Sequence, residues 1–226
     1  REHLSDDAVL SLIDYPSYFS LLKLPLPDSR SGIIDALASD ELLKRVNGAK
    51  WNITNLGAIL FAKDLTQFPS LKRKIIRVVQ YKDINRNETI REQPAKKGYA
   101  NGFEELVGFI NTIIPTNEVI EKALRKEVPM FPDIAIRELV ANALIHQDFY
   151  ITGTSVMIEI FPDRIEITNP GRPLVKTDRF LGSPPKSRNE SLASFMRRIG
   201  VCEERRSGVD KVIFQTELYQ LPAPLF

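Results

Sequence analysis

The stretch Arg137-Glu138-Leu139-Val140-Ala141-Asn142-Ala143-Leu144-Ile145-His146-Gln147-Asp148-Phe149 decides how this chain is read. Pro132-Asp133 is a start signal and good helix formers follow, so the stretch is predicted to be a helix. Glu138 and Asn142 are four residues apart and project from one face. Ile134, Ala135, Ile136, Leu139, Val140, Ala141, Ala143, Leu144 and Ile145 make the helix apolar nearly all round, which predicts burial. A buried amide without a partner costs roughly 1–3 kcal/mol, and a buried charge more. Neighbouring main chain could supply those partners; so could a ligand with its metal ion.

The whole chain bounds the options. Its 226 residues suffice for one large domain or two modest ones. With 43% hydrophobic and 27% charged residues it has globular composition, and a net charge of +2 gives no global case for nucleic acid. A lone cysteine, Cys202, excludes an internal disulfide and fits a reducing, cytoplasmic setting. His3 and His146 are the only histidines, so no Cys/His zinc pattern exists. No apolar run is long enough to span a membrane, and no partner membrane is expected. Arg1 and the closing Leu-Pro-Ala-Pro-Leu-Phe read as cuts through a longer protein.

Before the central helix, Ser5 is the expected cap of a short helix through Val9 and Leu12, and a second follows Tyr15-Pro16-Ser17. The pattern Ile33, Ile34, Leu37, then Leu42, Leu43, Val46 predicts two helices, with Ser39-Asp40 capping the second and Asn47-Gly48 as a turn. Lys50–Ile53 is a predicted strand, and Thr54 caps a helix through Phe61. Together these suggest a unit that is winged-helix-like in part. Ile75–Tyr81 reads as a strand, with Glu88–Arg91 as its hairpin partner. Phe103 to Ile114 has helical spacing and Pro115 ends it; Glu118–Lys126 is predicted helical or irregular. The polar segment near Asn101 is the expected boundary between residues 1–100 and 101–226.

After the central helix, Thr154–Phe161 and Arg164–Thr168 read as antiparallel strands joined at Pro162-Asp163. Asn169-Pro170-Gly171-Arg172-Pro173 is a tight loop, and Leu174–Arg188 a long one of the kind that is usually functional. Asn189–Ile199 is a predicted helix, and Glu203–Gly208 a turn into the last, Val209–Leu218. There are no internal repeats.

The order of a Glu-x-x-x-Asn-Ala helix, a β-hairpin, a glycine loop, a long segment and a glycine at a helix start resembles the GHKL-type (Bergerat-fold) ATP-binding domains of gyrase, Hsp90, histidine kinases and MutL proteins. More narrowly, Arg137–Phe149, Asp163-Arg164-Ile165-Glu166-Ile167-Thr168-Asn169-Pro170-Gly171 and Arg206-Ser207-Gly208-Val209-Asp210-Lys211 resemble a bacterial and archaeal group described as helicase-related, RecG-like at the carboxy terminus, or as transcriptional regulators. The resemblance covers Asn101 to about Leu218, and residues 4–100, Ile53–Phe61 among them, are similar to the segment that precedes that domain. In that group a Schlafen-type, AlbA-like DNA-binding domain commonly comes earlier, and it is expected to lie outside residues 1–226. The fold implied is α+β: a mixed helical and β amino-terminal subdomain, then a Bergerat-like α/β sandwich of helices over an antiparallel or mixed sheet.

The resemblance implies roles at matching positions, with ATP and Mg²⁺ as cofactors. Asn142 would hold the magnesium through a hard amide oxygen. Glu138 would orient or deprotonate the attacking water. Gly171 would admit the adenine, and Asn169 accept from it, where the family has Asp-x-Gly-x-Gly; Pro173 replaces the second glycine. Ser207-Gly208 would open a phosphate-cradling helix, joined by Arg205 and Arg206, while Lys186, Arg188 and Asn189 face the terminal phosphate. Each has a plain alternative: a main-chain contact for the pair, an ordinary turn for Asn-Pro-Gly, solvated surface for the arginines, a helix cap for His146 beside Asp148, and packing for Cys202.

Lys72-Arg73-Lys74 with Arg77, and Lys96-Lys97, are basic patches that could touch DNA phosphates or simply be solvated. No Gly-x-x-x-x-Gly-Lys-[Ser/Thr] loop occurs, so a true helicase motor is not expected. Two readings remain: a nucleotide-binding, slowly hydrolysing regulator of a DNA-associated protein, and a non-enzymatic scaffold, DNA-associated or a homodimer, with a vestigial site.

Overall fold

The computed structural model describes residues 1–46, 50–121, 124–177, 180, 186–202 and 207–226. Its amino-terminal helices follow their caps. The Ser5 hydroxyl accepts from the Ala8 N–H at the start of α1 (Asp6–Leu12). Asp14 accepts from Ser17 N–H at the start of α2 (Tyr15–Leu22). Pro16 sits in that first turn, where a missing N–H forfeits no bond. Ser29 caps α3 (Arg30–Ser39).

The expected helix through Leu42, Leu43 and Val46 is instead strand β1 (Leu43–Val46), antiparallel to β2 (Lys50–Ile53), with Leu43 opposite Ile53. Ser39-Asp40 therefore ends a helix rather than starting one. Glu41 adopts φ +59° and turns the chain, and Leu42 N–H donates to Leu37 C=O, closing α3. The expected Asn47-Gly48 turn lies outside the described residues. Thr54 caps α4 (Asn55–Phe61) by accepting from Gly57 N–H.

One mixed four-stranded sheet carries the rest, in the order β4-β3-β7-β8. β3 (Ile76–Tyr81) pairs antiparallel with β4 (Thr89–Ala95) and parallel with β7 (Met157–Ile160), and β7 pairs antiparallel with β8 (Ile165–Thr168). Between β4 and β7 come α5 (Phe103–Ile113), the hairpin β5 (Thr116–Glu121) and β6 (Leu124–Pro129), and α6 (Asp133–His146). The hairpin replaces the helical or irregular stretch expected at 118–126. Val119, Ile120, Leu124 and Val128 stand at a spacing a helix would also use, but the main chain is satisfied instead by cross-strand pairing from Thr116 opposite Pro129 to Glu121 opposite Leu124.

Alternation sorts the sheet's faces. Ile76, Val78, Ile158 and Ile160 are buried in the core with Leu106, Ile110, Val140 and Leu144 of α5 and α6. The opposite face holds Glu159, only 5% exposed, which accepts from Arg86 Nε at 2.6 Å and Nη2 at 3.0 Å. That guanidinium keeps the Glu159 carboxyl below the usual range despite burial. Tyr81 stacks on Phe161, and Arg164 lies 3.8 Å over the same ring. No described helix is long and apolar enough to cross a membrane.

The position near Asn101, expected as a boundary, lies within one sheet and one core. β3 and β4 precede it and β7 follows it. Asn101 itself donates to the Asp14 carboxylate at 3.1 Å and to Ala62 C=O at 3.2 Å. Further on, α7 (Glu190–Arg198) docks against the amino-terminal helices. Phe195 meets Phe61 edge-on at 5.5 Å, and Arg198 donates to Asp40, which also accepts from Tyr18 Oη. α8 (Ser207–Leu218) ends the fold along α6.

Phe195→Ala should therefore cost about 3–5 kcal/mol in urea unfolding. Phe214→Ala on α8, where the ring is 61% exposed, should change stability by less than about 0.5 kcal/mol.

Candidate functional site

The central helix is α6, at its predicted place. Ala135, Ile136, Val140, Ala141, Ala143, Leu144 and Ile145 are buried. Glu138 and Asn142 are half-buried, and Ile134 is 48% exposed, so the helix is not sealed all round as its composition suggested. The apolar residues cover the sheet side and flanks, and the polar pair occupies the remaining stripe. Asn142 Nδ2 donates to Glu138 Oε1 at 3.3 Å.

The pair faces the start of α8. A Cβ built on Gly208 would press on Glu138 Oε1, so the glycine lets the carboxylate lie this close, and a larger residue would push that flexible side chain aside. The carboxylate thus rests against a helix N-terminus, where main-chain N–H groups carry partial positive charge. Glu138, hydrogen-bonded to Asn142, thus meets Gly208 from a segment some seventy residues away in sequence, with Ser207 beginning the helix. Arg205 and Arg206 lie outside the described residues. Cys202 is close by: burial first, and then the Glu138 charge, push its thiol up to about 11. Such a thiol is a poor nucleophile, in keeping with a packing role.

Asn169 and Gly171 belong to a second cluster, at the other end of α6. Glu138 and His146 are eight residues apart, roughly 12 Å along a helix. Gly171 adopts φ +121°, which L side chains rarely tolerate, and its Cβ position lies 3.0 Å from Asp148 Cβ. Asp148 N–H donates to Pro170 C=O at 2.7 Å. The Asp148 carboxylate accepts from Tyr150 N–H at 3.0 Å and from Arg188 Nη1 at 2.6 Å. Arg188 Nη2 donates to Arg172 C=O at 2.6 Å. Asn189 Nδ2 donates to the carbonyls of Ile145 and Gln147. Of the residues expected to face a terminal phosphate, Arg188 ties the glycine loop to Asp148 and Asn189 ties the start of α7 to the end of α6. Lys186 is exposed, and part of the long loop expected at Leu174–Arg188 lies outside the described residues.

Sequence reasoning missed Lys74 and Gln147. Lys74 read as part of a basic patch, yet it is 4% exposed and its Nζ donates to Ile151 C=O at 2.7 Å and Asp148 C=O at 3.4 Å. Arg77 of the same patch pairs with Glu92, and Lys97 pairs with Glu105. Lys72 and Arg73 remain exposed. Gln147 is fully buried and donates to Tyr99 Oη, which donates to Lys74 C=O. The only sequence signal was Lys74 standing directly before a β-branched run, whose first residues turn inward.

A cavity of about 540 Å³ lies elsewhere, between β4, α5 and Leu144. Its wall includes neither Glu138 nor Asn142. It exists because Gln93 and Ala95, opposite Val78 and Ile76, are polar or small and do not fill the layer beneath the edge strand.

Comparisons with known proteins bear on the carboxy-terminal end. A family model described as "Putative ATP-dependent DNA helicase recG C-terminal" matches residues 153–226, which span β7, β8, the Gly171 loop, α7 and α8. No curated protein matches. Among solved structures, the chain is similar to the crystal structure of the DIP2311 protein from Corynebacterium diphtheriae, with a TM-score of 0.69 and 19% identity. That likeness covers 93% of this chain and 40% of that one, so this chain spans well under half of that relative's length. At that identity it shows the fold alone. Residues 153–226 are thus similar to a RecG-related, ATPase-like domain, laid on a mixed α+β framework.

Proposed function

We propose that this chain is a GHKL-like module that binds ATP with Mg²⁺ and regulates a DNA-associated protein of the transcriptional-regulator kind. The observation that carries the reading is the convergence of Glu138 and Asn142 with Gly208 at the N-terminus of α8. A helix N-terminus favours phosphate whatever its side chains. The similarity of residues 153–226 to an ATPase-like domain supports the same ligand class.

The donor set suits magnesium held together with phosphates. Among the described residues no group of three or more His, Cys, Asp and Glu forms a cage. Magnesium bound with a nucleotide needs only one or two protein oxygens, since phosphates and water complete its octahedron. Asn142 would supply one: its amide nitrogen is committed to Glu138, which turns the amide oxygen to the opposite side. When bound, the ion would neutralise phosphate charge. Glu138 would position a water and accept its proton, being half-buried and held on two sides. Asn169 and Gly171 would meet the base, at the other end of α6.

A second reading has its own support. Glu138 is engaged by Asn142 and lies against Gly208, so its carboxylate can itself serve as the anion at the α8 N-terminus. The chain is then a scaffold, DNA-associated or dimeric, with no external anion.

Calorimetric titration with Mg-ATP separates the two. Saturable binding weakened about tenfold or more by Asn142→Ala, with Glu138→Gln binding but not hydrolysing, is the expected result. A flat wild-type titration would establish the scaffold. Cys202 supplies a check on the geometry itself. Its thiolate should form only toward pH 11, so disulfide-exchange labelling at pH 8 should be slow. Glu138→Gln removes a negative neighbour, lowers the thiol pKa and should speed labelling, while burial keeps it slower than a free thiol.

A further inference from the structure

The buried Lys74 has no part in the chemistry described so far. It stands just before β3, far in sequence from the loop it serves. Its ammonium is tied to the carbonyls of Ile151 and Asp148 and lies 5.6 Å over the Phe149 ring, so three residues of the 148–151 turn converge on it. Its own carbonyl accepts from Tyr99 Oη, which locks the main chain at 74 to the buried Gln147. Asp148, positioned this way, spends its carboxylate on Tyr150 N–H and Arg188, and its N–H on Pro170. The Gly171 loop takes its place from Asp148 and Arg188 together.

Charge distinguishes the two ends of α6. At the Asp148 end, the Arg188 guanidinium is paired with the Asp148 carboxylate and the buried Lys74 ammonium is enclosed by carbonyl oxygens, so both heads are already engaged by the protein rather than offered to a phosphate. At the Gly208 end, a helix N-terminus offers main-chain N–H groups and partial positive charge, with the Glu138 carboxylate beside it, the arrangement a magnesium-bound phosphate chain would suit. A nucleotide laid along α6 would put its phosphates at the second end and its uncharged base at the first. An ammonium sunk in the fold is also expensive, and a well-packed apolar residue of equal length is often no less stable. Its presence here argues for a geometric role.

We propose that Lys74 is a positioning residue for the base-bearing end of the ligand, acting through Asp148 on the Gly171 loop. This rests on the nucleotide reading above. The test is calorimetry of wild type and Lys74→Met with two probes, Mg-ADP and Mg-tripolyphosphate, both of which present a phosphate chain while only the first carries a ribose and base. Lys74→Met should weaken Mg-ADP by about tenfold or more and leave tripolyphosphate within about twofold. A purely structural lysine would weaken both alike, and that result overturns the assignment, as does an unchanged Mg-ADP affinity. Wild type that binds neither probe overturns the nucleotide reading and this one with it. Wild type that binds both equally, with no gain from the base, overturns this one alone. Should Lys74→Met fail to fold, Asp148→Asn carries the same test: it keeps an acceptor for Tyr150 N–H, loses the charge on Arg188, and should show the same split between probes.

Discussion

The parallel pairing of β3 with β7 governs this molecule. Arg77 to Gln80 lie beside Met157 to Ile160, strands eighty residues apart in sequence. Parallel neighbours cannot be joined by a tight turn; the chain must leave the sheet, cross it and return. Here α5, the β5–β6 hairpin and α6 make that crossing. The crossing lays α6 over Ile158 and Ile160, which fixes which of its sides is buried and which carries Glu138 and Asn142. α8 then has only the polar stripe and the flank of α6 to pack on, and Gly208 allows the contact.

Polar groups in this region are arranged by what each can afford to bury. Glu138 shares its charge between an amide and a helix start. Lys74 relies on carbonyls, and Arg188 on a carboxylate and a carbonyl. Glu159, on the far face of the sheet, has a bidentate guanidinium. The last arrangement is a closed one, with Arg86 and Arg164 matched by Glu159 and Glu166, and it leaves little charge to attract a ligand. The α6–α8 junction differs, because there the carboxylate of Glu138 meets a helix terminus, a dipole end rather than a full opposite charge.

Much of this was legible in the residues. α1 and α4 announced themselves by their Ser5 and Thr54 caps, and β3, β7 and β8 by β-branched runs. Glu138, Asn142 and Gly208 were brought together from three-residue signals spread over the second half. What failed, failed for identifiable reasons. The apolar spacing at Leu42, Leu43 and Val46 suits helix and strand alike, and the deciding fact, the φ +59° turn at Glu41, has no residue-type signature. The hairpin at 116–129 is stabilised by main-chain pairing that side-chain periodicity does not report. Lys74 looked like surface charge because burial of a lysine depends on acceptors seventy residues away. Arg188 was placed near a phosphate by analogy with family order, whereas its fork geometry matched the nearer carboxylate of Asp148.

The shared sheet also governs what happens when the polypeptide is severed. A break at position 101 would leave Ile76–Ala95 on one piece and Met157–Thr168 on the other. Each piece would carry a strand with bared amide rungs along one side and a greasy underside, the surface that drives indiscriminate self-association. Expressed together, the two halves have a template for each other, with Phe195 and Arg198 as the clasp. Expressed alone, either is half a zip.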